Sequence, residues 1–331
     1  MKFISLFAGI GGFDLALERL GHECVCANDI DTYCKIVYDK HFNTKQTTQD
    51  IRTIASGDIP DHDILCGGFP CQSFSVAGKR GGFNDTRGTL FYEIARIAQD
   101  KRPTYLFLEN VKGLLSHDNG RTFETILRTF DELGYELQWQ VLNSKNFGVP
   151  QNRERVFIIG HLRGEPRPQI FPLRENDEVC SRPRATEEKV YAGTLTARQF
   201  SSWNGNYIRK VNNPSHSNNR VYSSEGIAPT LNTMQGGNRQ PKIVARGINH
   251  PSRGMEIRKD EIAATIKSGE SGTQRPKALI GTQIRRLTPL ECERLQGFPD
   301  GWTEGVSDTQ RYKMLGNAVT VNVIYEIAKY L

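Results

Sequence analysis

Lys2-Phe3-Ile4-Ser5-Leu6-Phe7-Ala8-Gly9-Ile10-Gly11-Gly12-Phe13 is the stretch that decides the fold. The first six residues form an apolar, β-like run. Ala8 to Gly12 form a glycine-rich turn, and Phe13, Ala16, Leu17 and Leu20 then recur at helical spacing until Gly21. Strand, glycine turn and helix in that order let a ligand approach the backbone at a helix N-terminus. The glycine spacing departs from the usual dinucleotide pattern, and such turns also serve as plain connectors, so the neighbours have to decide.

Downstream, the same alternation continues. Cys24 to Asn28 reads as a second strand, and Asp29 stands at its end, 18 residues past Gly11, close to where an acidic residue would hold a ribose. A helix over Thr32 to His41 is followed by Asp50-Ile51 and by the apolar run Asp63-Ile64-Leu65-Cys66-Gly67-Gly68-Phe69-Pro70-Cys71-Gln72. Gly67-Gly68 reads as a sharp bend, and Pro70 fixes its own φ, so Cys71 is presented in a defined direction. Lys79, Arg80 and Arg87 follow closely, and positive charge favours the thiolate, the reactive form of a cysteine. A cysteine in such a place is ordinarily a small buried residue. What favours a nucleophile is position: the glycine turn, Asp29, Asp50, Cys71 and Glu109 all stand at or just past the ends of expected strands. In an open α/β sheet that rim is where ligands bind.

The remaining elements are a helix around Leu90 to Ala98, a strand Thr104 to Leu108 ending in Glu109-Asn110, and an amphipathic helix from Thr122 to Leu133. Strands follow at Leu137 to Leu142 and Arg155 to Ile159, with Gln151, Arg153 and Arg155 alternating so that two arginines could address one small polar group, although taken alone they read as an exposed strand edge carrying ordinary charges. The Pro-rich stretch Gly164 to Pro172 reads as a linker. Near the C-terminus Thr288, Pro289 and Glu291 make a capping box for a helix ending near Gly297. Gly316-Asn317-Ala318-Val319 leads into a last helix that carries Val323, Ile324, Ile327 and Leu331 on one side and suits return to the sheet.

Between these lies a segment of different character. From Arg182 to Arg286 there are 18 Lys/Arg against 7 Asp/Glu, a surplus of 11 that leaves the rest at −5 in a chain of net charge +6. Within it Thr194, Thr230 and Thr265 recur at spacings of 36 and 35 residues, each ahead of a Gly/Asn/Ser loop, so the segment reads either as successive hairpin-like units or as a chance likeness among Gly-rich loops. A basic segment rich in Gly, Asn, Ser and Gln points to a polyanion, nucleic acid above all. At 331 residues the chain can bury a sizeable core. Seven cysteines without paired spacing and no cleavable leader fit a reducing cytoplasm, and no metal ligand set is assigned. No apolar run reaches the roughly 20 residues that span a bilayer.

Taken together, these motifs resemble the cytosine-5 DNA methyltransferases over nearly the whole chain. Phe7-Ala8-Gly9-Ile10-Gly11-Gly12-Phe13 is similar to that family's S-adenosylmethionine loop, Gly68-Phe69-Pro70-Cys71-Gln72 to its nucleophile motif and Glu109-Asn110-Val111 to its acidic motif. Gln151-Asn152-Arg153-Glu154-Arg155 is similar to the paired-arginine motif, and Arg286 to Pro299 and Gly316 to Val319 to the last two blocks. The resemblance implies a doubly wound, mostly parallel Rossmann-like sheet formed by 1–180 with 305–331, a smaller β-rich target-recognition domain at 181–285 and a hinge at 286–304. It implies Cys71, Glu109, Arg153 and Arg155 as catalytic residues: Cys71 adding to C6 of cytosine, Glu109 donating to N3, and Arg155, with Arg153 in support, holding O2.

For the cofactor the resemblance implies contacts from Phe7, Ala8, Gly9, Ile10, Gly11, Gly12 and Phe13, from Asp29 to the ribose, from Ile30 against the adenine, from Asp50 to its amino group, and from Ile51, Asn317 and Ala318. For duplex DNA it implies a moving loop from Ser73 to Leu90 with Ser75 and Arg87 on phosphates, and Arg220, Thr230, Gln235, Asn238 and Arg239 in the recognition segment. A target base must be flipped out of the duplex to reach such a pocket. A compact bacterial or phage-type enzyme acting as a monomer on DNA follows, with room for a separate restriction endonuclease acting on the same site. Three alternatives differ by a residue test. A transfer-RNA branch of the fold would carry a Cys-Phe-Thr signature, absent here; a decayed binding module would have lost Cys71, Glu109 or Arg155; a nicotinamide-dependent dehydrogenase would need neither Pro-Cys-Gln nor the basic segment.

Overall fold

The computed structural model describes residues 1–70, 90–165, 168–173, 221–223, 228–229, 242–246 and 282–331. By its contacts the chain divides into two compact units, one of residues 1–187, 229–236 and 289–331 and one of 188–228 and 237–288.

The first unit is built on β1 (Lys2–Leu6), α1 (Gly12–Glu18), β2 (Glu23–Asn28), α2 (Thr32–His41), β3 (Gln46–Thr47), β4 (Ile64–Gly68), α3 (Leu90–Lys101), β5 (Tyr105–Val111), α4 (Arg121–Glu132), β6 (Tyr135–Asn143), β7 (Gln151–Asn152) and β8 (Glu154–Leu162). Seven of its strands form one sheet in the order β3-β2-β1-β4-β5-β8-β6. Neighbours pair in parallel from β3 to β5, and β8 alone runs the other way, antiparallel to both β5 and β6. The sheet is therefore doubly wound. Its order reverses between β1 and β4, and the crevice at that switch point opens beyond the carboxyl ends of the strands.

Central strands buried on both faces read as continuous apolar runs. Ile4, Leu6, Leu65, Leu106, Leu108, Val156 and Ile158 pack into one buried cluster with Phe91, Ile94 and Ile97 of α3 and Ile126 and Phe130 of α4. Residues of the opposite parity face α1, where the Phe13 and Phe107 rings meet edge-on with centroids 5.0 Å apart. The C-terminal part of the chain adds α5 (Pro289–Gln296), α6 (Asp308–Asn317) and α7 (Val321–Ala328) to this unit. Val323, Ile324 and Ile327 are buried, as the helical spacing expects. The segment expected as a hinge, 286–304, contains α5, whose Glu293 and Gln296 are fully buried.

One local expectation is corrected. Gly67-Gly68 is not a bend: both glycines complete β4, and neither has a positive φ. Their small size is what counts, since a Cβ on Gly67 would stand 2.4 Å from the Leu6 carbonyl oxygen and one on Gly68 would stand 3.0 Å from Glu109 Oε2. Asp50 stands three residues past the end of β3, as expected of a strand end, and caps a single 3-10 turn, Ile51–Thr53, by accepting from the Arg52 N–H. Strand β3, two residues long, was too short to register in the sequence pattern.

In the second unit β9 (Val221–Ser223), β11 (Lys242–Arg246) and β12 (Thr282–Arg286) form a three-stranded sheet, with β11 parallel to β9 and antiparallel to β12. Strand β10 (Ala228–Pro229) lies between β9 and β11 in the sequence. Strand β11 follows the loop after Thr230 in the threonine-spaced repeat; the other parts of that repeat lie outside the described residues. Among the described residues no helix is long and apolar enough to cross a membrane.

Candidate active site

A cleft of about 580 Å³ occupies the switch point of the sheet. One half is lined by the turn after β1, where Phe7 and Gly9 have φ of +54° and +56° and Gly11, with φ +83°, precedes α1. Positive φ is costly for a residue with a side chain such as Phe7, and surrounding structure has to enforce it. Here the Ala8 N–H donates to the Asn28 carbonyl, Gly9 N–H to Asp29 Oδ2 at 2.8 Å, and Gln46 Nε2 to the Gly9 carbonyl at 3.0 Å. The Trp302 indole, stacked on His41 at 3.7 Å, donates to the Ile10 carbonyl at 2.9 Å.

The other half is lined by Gly68, Phe69 and Pro70 at the end of β4 and by Glu109, Asn110, Arg153 and Arg155. Register explains this grouping. Gly68 of β4 pairs with Glu109 of β5, and β5 pairs Val111 with Arg155 of β8, so Glu109 and Arg155 are diagonal neighbours on one face. Arg155 Nε lies 3.0 Å from Glu109 Oε1, both side chains largely buried. Burial pushes the Glu109 carboxyl above its ordinary value, against the pull of Arg155 and Arg153. Asn110 Nδ2 donates to the Phe69 carbonyl at 2.9 Å and so fixes the backbone just ahead of Pro70 and Cys71.

The two arginines part company. Arg155 faces Glu109, whereas Arg153, 2% exposed, donates to the carbonyls of Gly316 at 3.2 Å and Ala318 at 2.8 Å. Burial, with Arg155 nearby, brings its guanidinium down to about 9, so it stays charged at neutral pH. Gln296 Nε2 reaches the Leu315 carbonyl at 2.6 Å, and with Arg153 it pins the Gly316-Asn317-Ala318-Val319 loop onto the cleft. The fit against α1 is close: a Cβ on Gly12 would stand 2.7 Å from Val319.

The structure thus brings Phe7, Ala8, Gly9, Ile10, Gly12, Phe13, Asp29, Glu109, Arg153, Arg155, Asn317 and Ala318 to one wall. Four expected residues are not on it. Gly11 shapes the turn from behind, against Phe42; Ile30 is 67% exposed; Ile51 is buried in the core cluster; Asp50 is paired with Arg52, which holds its carboxyl down to about 2. Cys71, Ser75, Arg87, Arg220, Thr230, Gln235, Asn238 and Arg239 lie outside the described residues.

Several residues of the site were not anticipated. Asp31 and Cys34 line the cleft, and Asp14 is fully buried beneath it, accepting from Tyr38 Oη at 2.6 Å and Ser5 Oγ at 2.8 Å. Burial raises the Asp14 carboxyl. The available signal was an acidic residue beside Phe13 on an otherwise apolar helix face. Away from the cleft, Glu293 accepts from the Gly301 and Thr303 N–H groups and pairs with Arg311 at 3.1 Å, and an acidic residue inside a helix gave no signal of that.

The arrangement suits a ligand with a vicinal diol. Asp29 accepts two backbone N–H bonds, from Gly9 and Asp31, and a carboxylate has lone pairs left for two hydroxyls. The acid and base half offers a carboxyl held toward its protonated form beside a guanidinium.

A family model described as C-5 cytosine-specific DNA methylase matches residues 1–331. Among curated relatives, the chain is 36% identical over 338 residues to Type II methyltransferase M.HhaI of Haemophilus parahaemolyticus, covering 99% of the chain and 93% of the relative. It is 39% identical over 337 residues to Type II methyltransferase M1.ScrFI of Lactococcus lactis subsp. cremoris, covering 99% and 77%. In fold it is similar to the Dnmt2 methyltransferase of S. pombe, with a TM-score of 0.63 at 19% identity over 100% of this chain and 98% of that one.

Proposed function

The chain belongs to the C-5 cytosine-specific DNA methylases, and from that membership we propose that it transfers a methyl group from S-adenosylmethionine to C5 of a flipped-out cytosine in duplex DNA, through a covalent bond from Cys71 to C6. The observation that carries the proposal is the buried Glu109–Arg155 pair at 3.0 Å on the same cleft as the glycine turn and Asp29.

The residues fit the cofactor. The positive-φ turn at Phe7 to Gly11 lets a ligand lie against the backbone, and Asp29 offers its lone pairs to the ribose hydroxyls. When bound, S-adenosylmethionine supplies an electrophilic methyl group. C5 of cytosine is a poor nucleophile, and the chain's own groups must change that. The Cys71 thiolate adds to C6 while Glu109, protonated, donates to N3, which leaves C5 enamine-like. Arg155 holds Glu109 and the O2 edge of the base. Arg153 acts one step back, through the loop that carries Asn317 and Ala318. After methylation, water takes the C5 proton as the Cys71 thiolate departs, and N3 returns its proton to Glu109, which restores the aromatic ring. The basic 181–285 segment would select the site as a target-recognition domain, with Thr230 and candidate readers Arg220, Gln235, Asn238 and Arg239, and the 1–180 plus 305–331 domain would perform the transfer.

The test is methyl incorporation from labelled S-adenosylmethionine into mixed-sequence duplex DNA, followed by bisulfite sequencing. Protected cytosines in one short context are expected. Cys71→Ser should abolish incorporation and leave cofactor binding near that of the unaltered enzyme; turnover retained in this variant would refute the nucleophile, and transfer to RNA alone would refute the DNA substrate.

A further inference from the structure

The cofactor half of the cleft is bounded by three pieces of chain: the turn after β1, the turn Asp29 to Asp31 after β2, and the end of α6 with Gly316 to Ala318. One line of polar contacts runs through all three. The Gly9 N–H donates to Asp29 Oδ2 at 2.8 Å, the Asp31 N–H donates to Asp29 Oδ1 at 2.8 Å, and Lys313 Nζ on α6 donates to Asp31 Oδ2 at 2.7 Å. Asp31 is shared further, since its Oδ1 caps α2 by accepting from the Tyr33 N–H at 2.9 Å. The Asp31 and Lys313 side chains are 19% and 30% exposed, so the pair is partly shielded from solvent.

Electrostatics gives this line a purpose. Asp29 and Asp31 are like charges two positions apart, and burial, followed by the charge of Asp31, favours the neutral form of Asp29. The N–H bonds from Asp31 and Gly9 oppose that most, the Lys313 ammonium adds to them, and its own proton is held more tightly because Asp31 accepts from it. An ionised, fixed Asp29 is the stronger acceptor for hydroxyl donors.

Resting on the cofactor reading given above, we propose that Asp31 and Lys313 are positioning residues of the cofactor site: their ion pair fastens the turn after β2 to α6, and so fixes Asp29 to receive the ribose hydroxyls of S-adenosylmethionine.

The test uses the full-length enzyme and calorimetric titration with S-adenosylmethionine and S-adenosylhomocysteine. Lys313→Met, which leaves the cap of α2 intact, should weaken both ligands about tenfold, as should Asp31→Asn, and the double variant should be no weaker than either single one, the signature of a shared interaction. Lys313→Arg should restore most of the affinity. At saturating cofactor, turnover should stay within about twofold of the unaltered enzyme, so that KM moves and kcat does not. Equal affinity in Lys313→Met and the unaltered enzyme, or additive losses in the double variant, would overturn the positioning role while leaving the cofactor reading intact. Failure of the unaltered enzyme to bind either ligand would overturn both.

Discussion

Glu109 has the most exposed consequence at the scale of a single residue. Its carboxyl is raised by burial, so the protonated form persists to higher pH than for an ordinary glutamate. Because the proposed role needs that proton, the rate of the methylation step should fall as pH rises through the raised value. Arg155 pulls the same carboxyl down, and Arg155→Met should therefore move this basic limb to still higher pH, read from single-turnover rates between pH 6 and 9 at saturating cofactor. Glu109→Gln should lower the rate roughly 10²- to 10⁴-fold, the usual worth of a general acid, with cofactor affinity unchanged. A pH profile identical in the Arg155 variant would count against the pair as the titrating unit.

At the scale of elements, β4 ends in two glycines whose reasons differ. A side chain on Gly67 would meet backbone of β1 at 2.4 Å, a neighbour that cannot move without breaking the β1–β4 ladder. Gly67→Ala should cost about 1–3 kcal/mol of stability as overpacking, visible as a lower urea midpoint. On Gly68 the obstacle at 3.0 Å is the Glu109 carboxylate, the end of a side chain that can swing. Gly68→Ala should leave the urea midpoint nearly unchanged and reduce turnover by displacing the acid. If the two variants lost stability equally, the division of labour within β4 would be wrong.

At the scale of the whole molecule, charge separates the basic segment from the remainder, 11 positive charges in surplus from Arg182 to Arg286 against −5 elsewhere. Phosphate neutralisation gives affinity, and base contacts give selection. Exchange of residues 182–286 for the corresponding segment of a relative should move protection to that relative's site in bisulfite sequencing. An unchanged site would place selection elsewhere in the chain.

What the sequence determined by itself was everything written in local pattern. Apolar runs bounded by glycines located β1, β2, β4, β5 and the flanking helices to within a few residues, and strand-helix alternation set the parallel order. The motifs placed Phe7 to Ile10, Gly12, Phe13, Asp29, Glu109 and Arg155 on one rim, since strand ends in such a sheet share an edge. Only the tertiary structure decided which polar groups meet. Lys313 finds Asp31 across 282 residues, and Arg153 leaves its apparent partner two residues on for carbonyls more than 160 residues away. Ile51 went to the core and Asp50 to Arg52 because a single 3-10 turn, invisible to periodicity, reorients them. Periodicity and turn chemistry act over a few residues and can be read in order. The partner of a buried charge is set by which strands the closed sheet makes neighbours, and that depends on the packing of the whole unit.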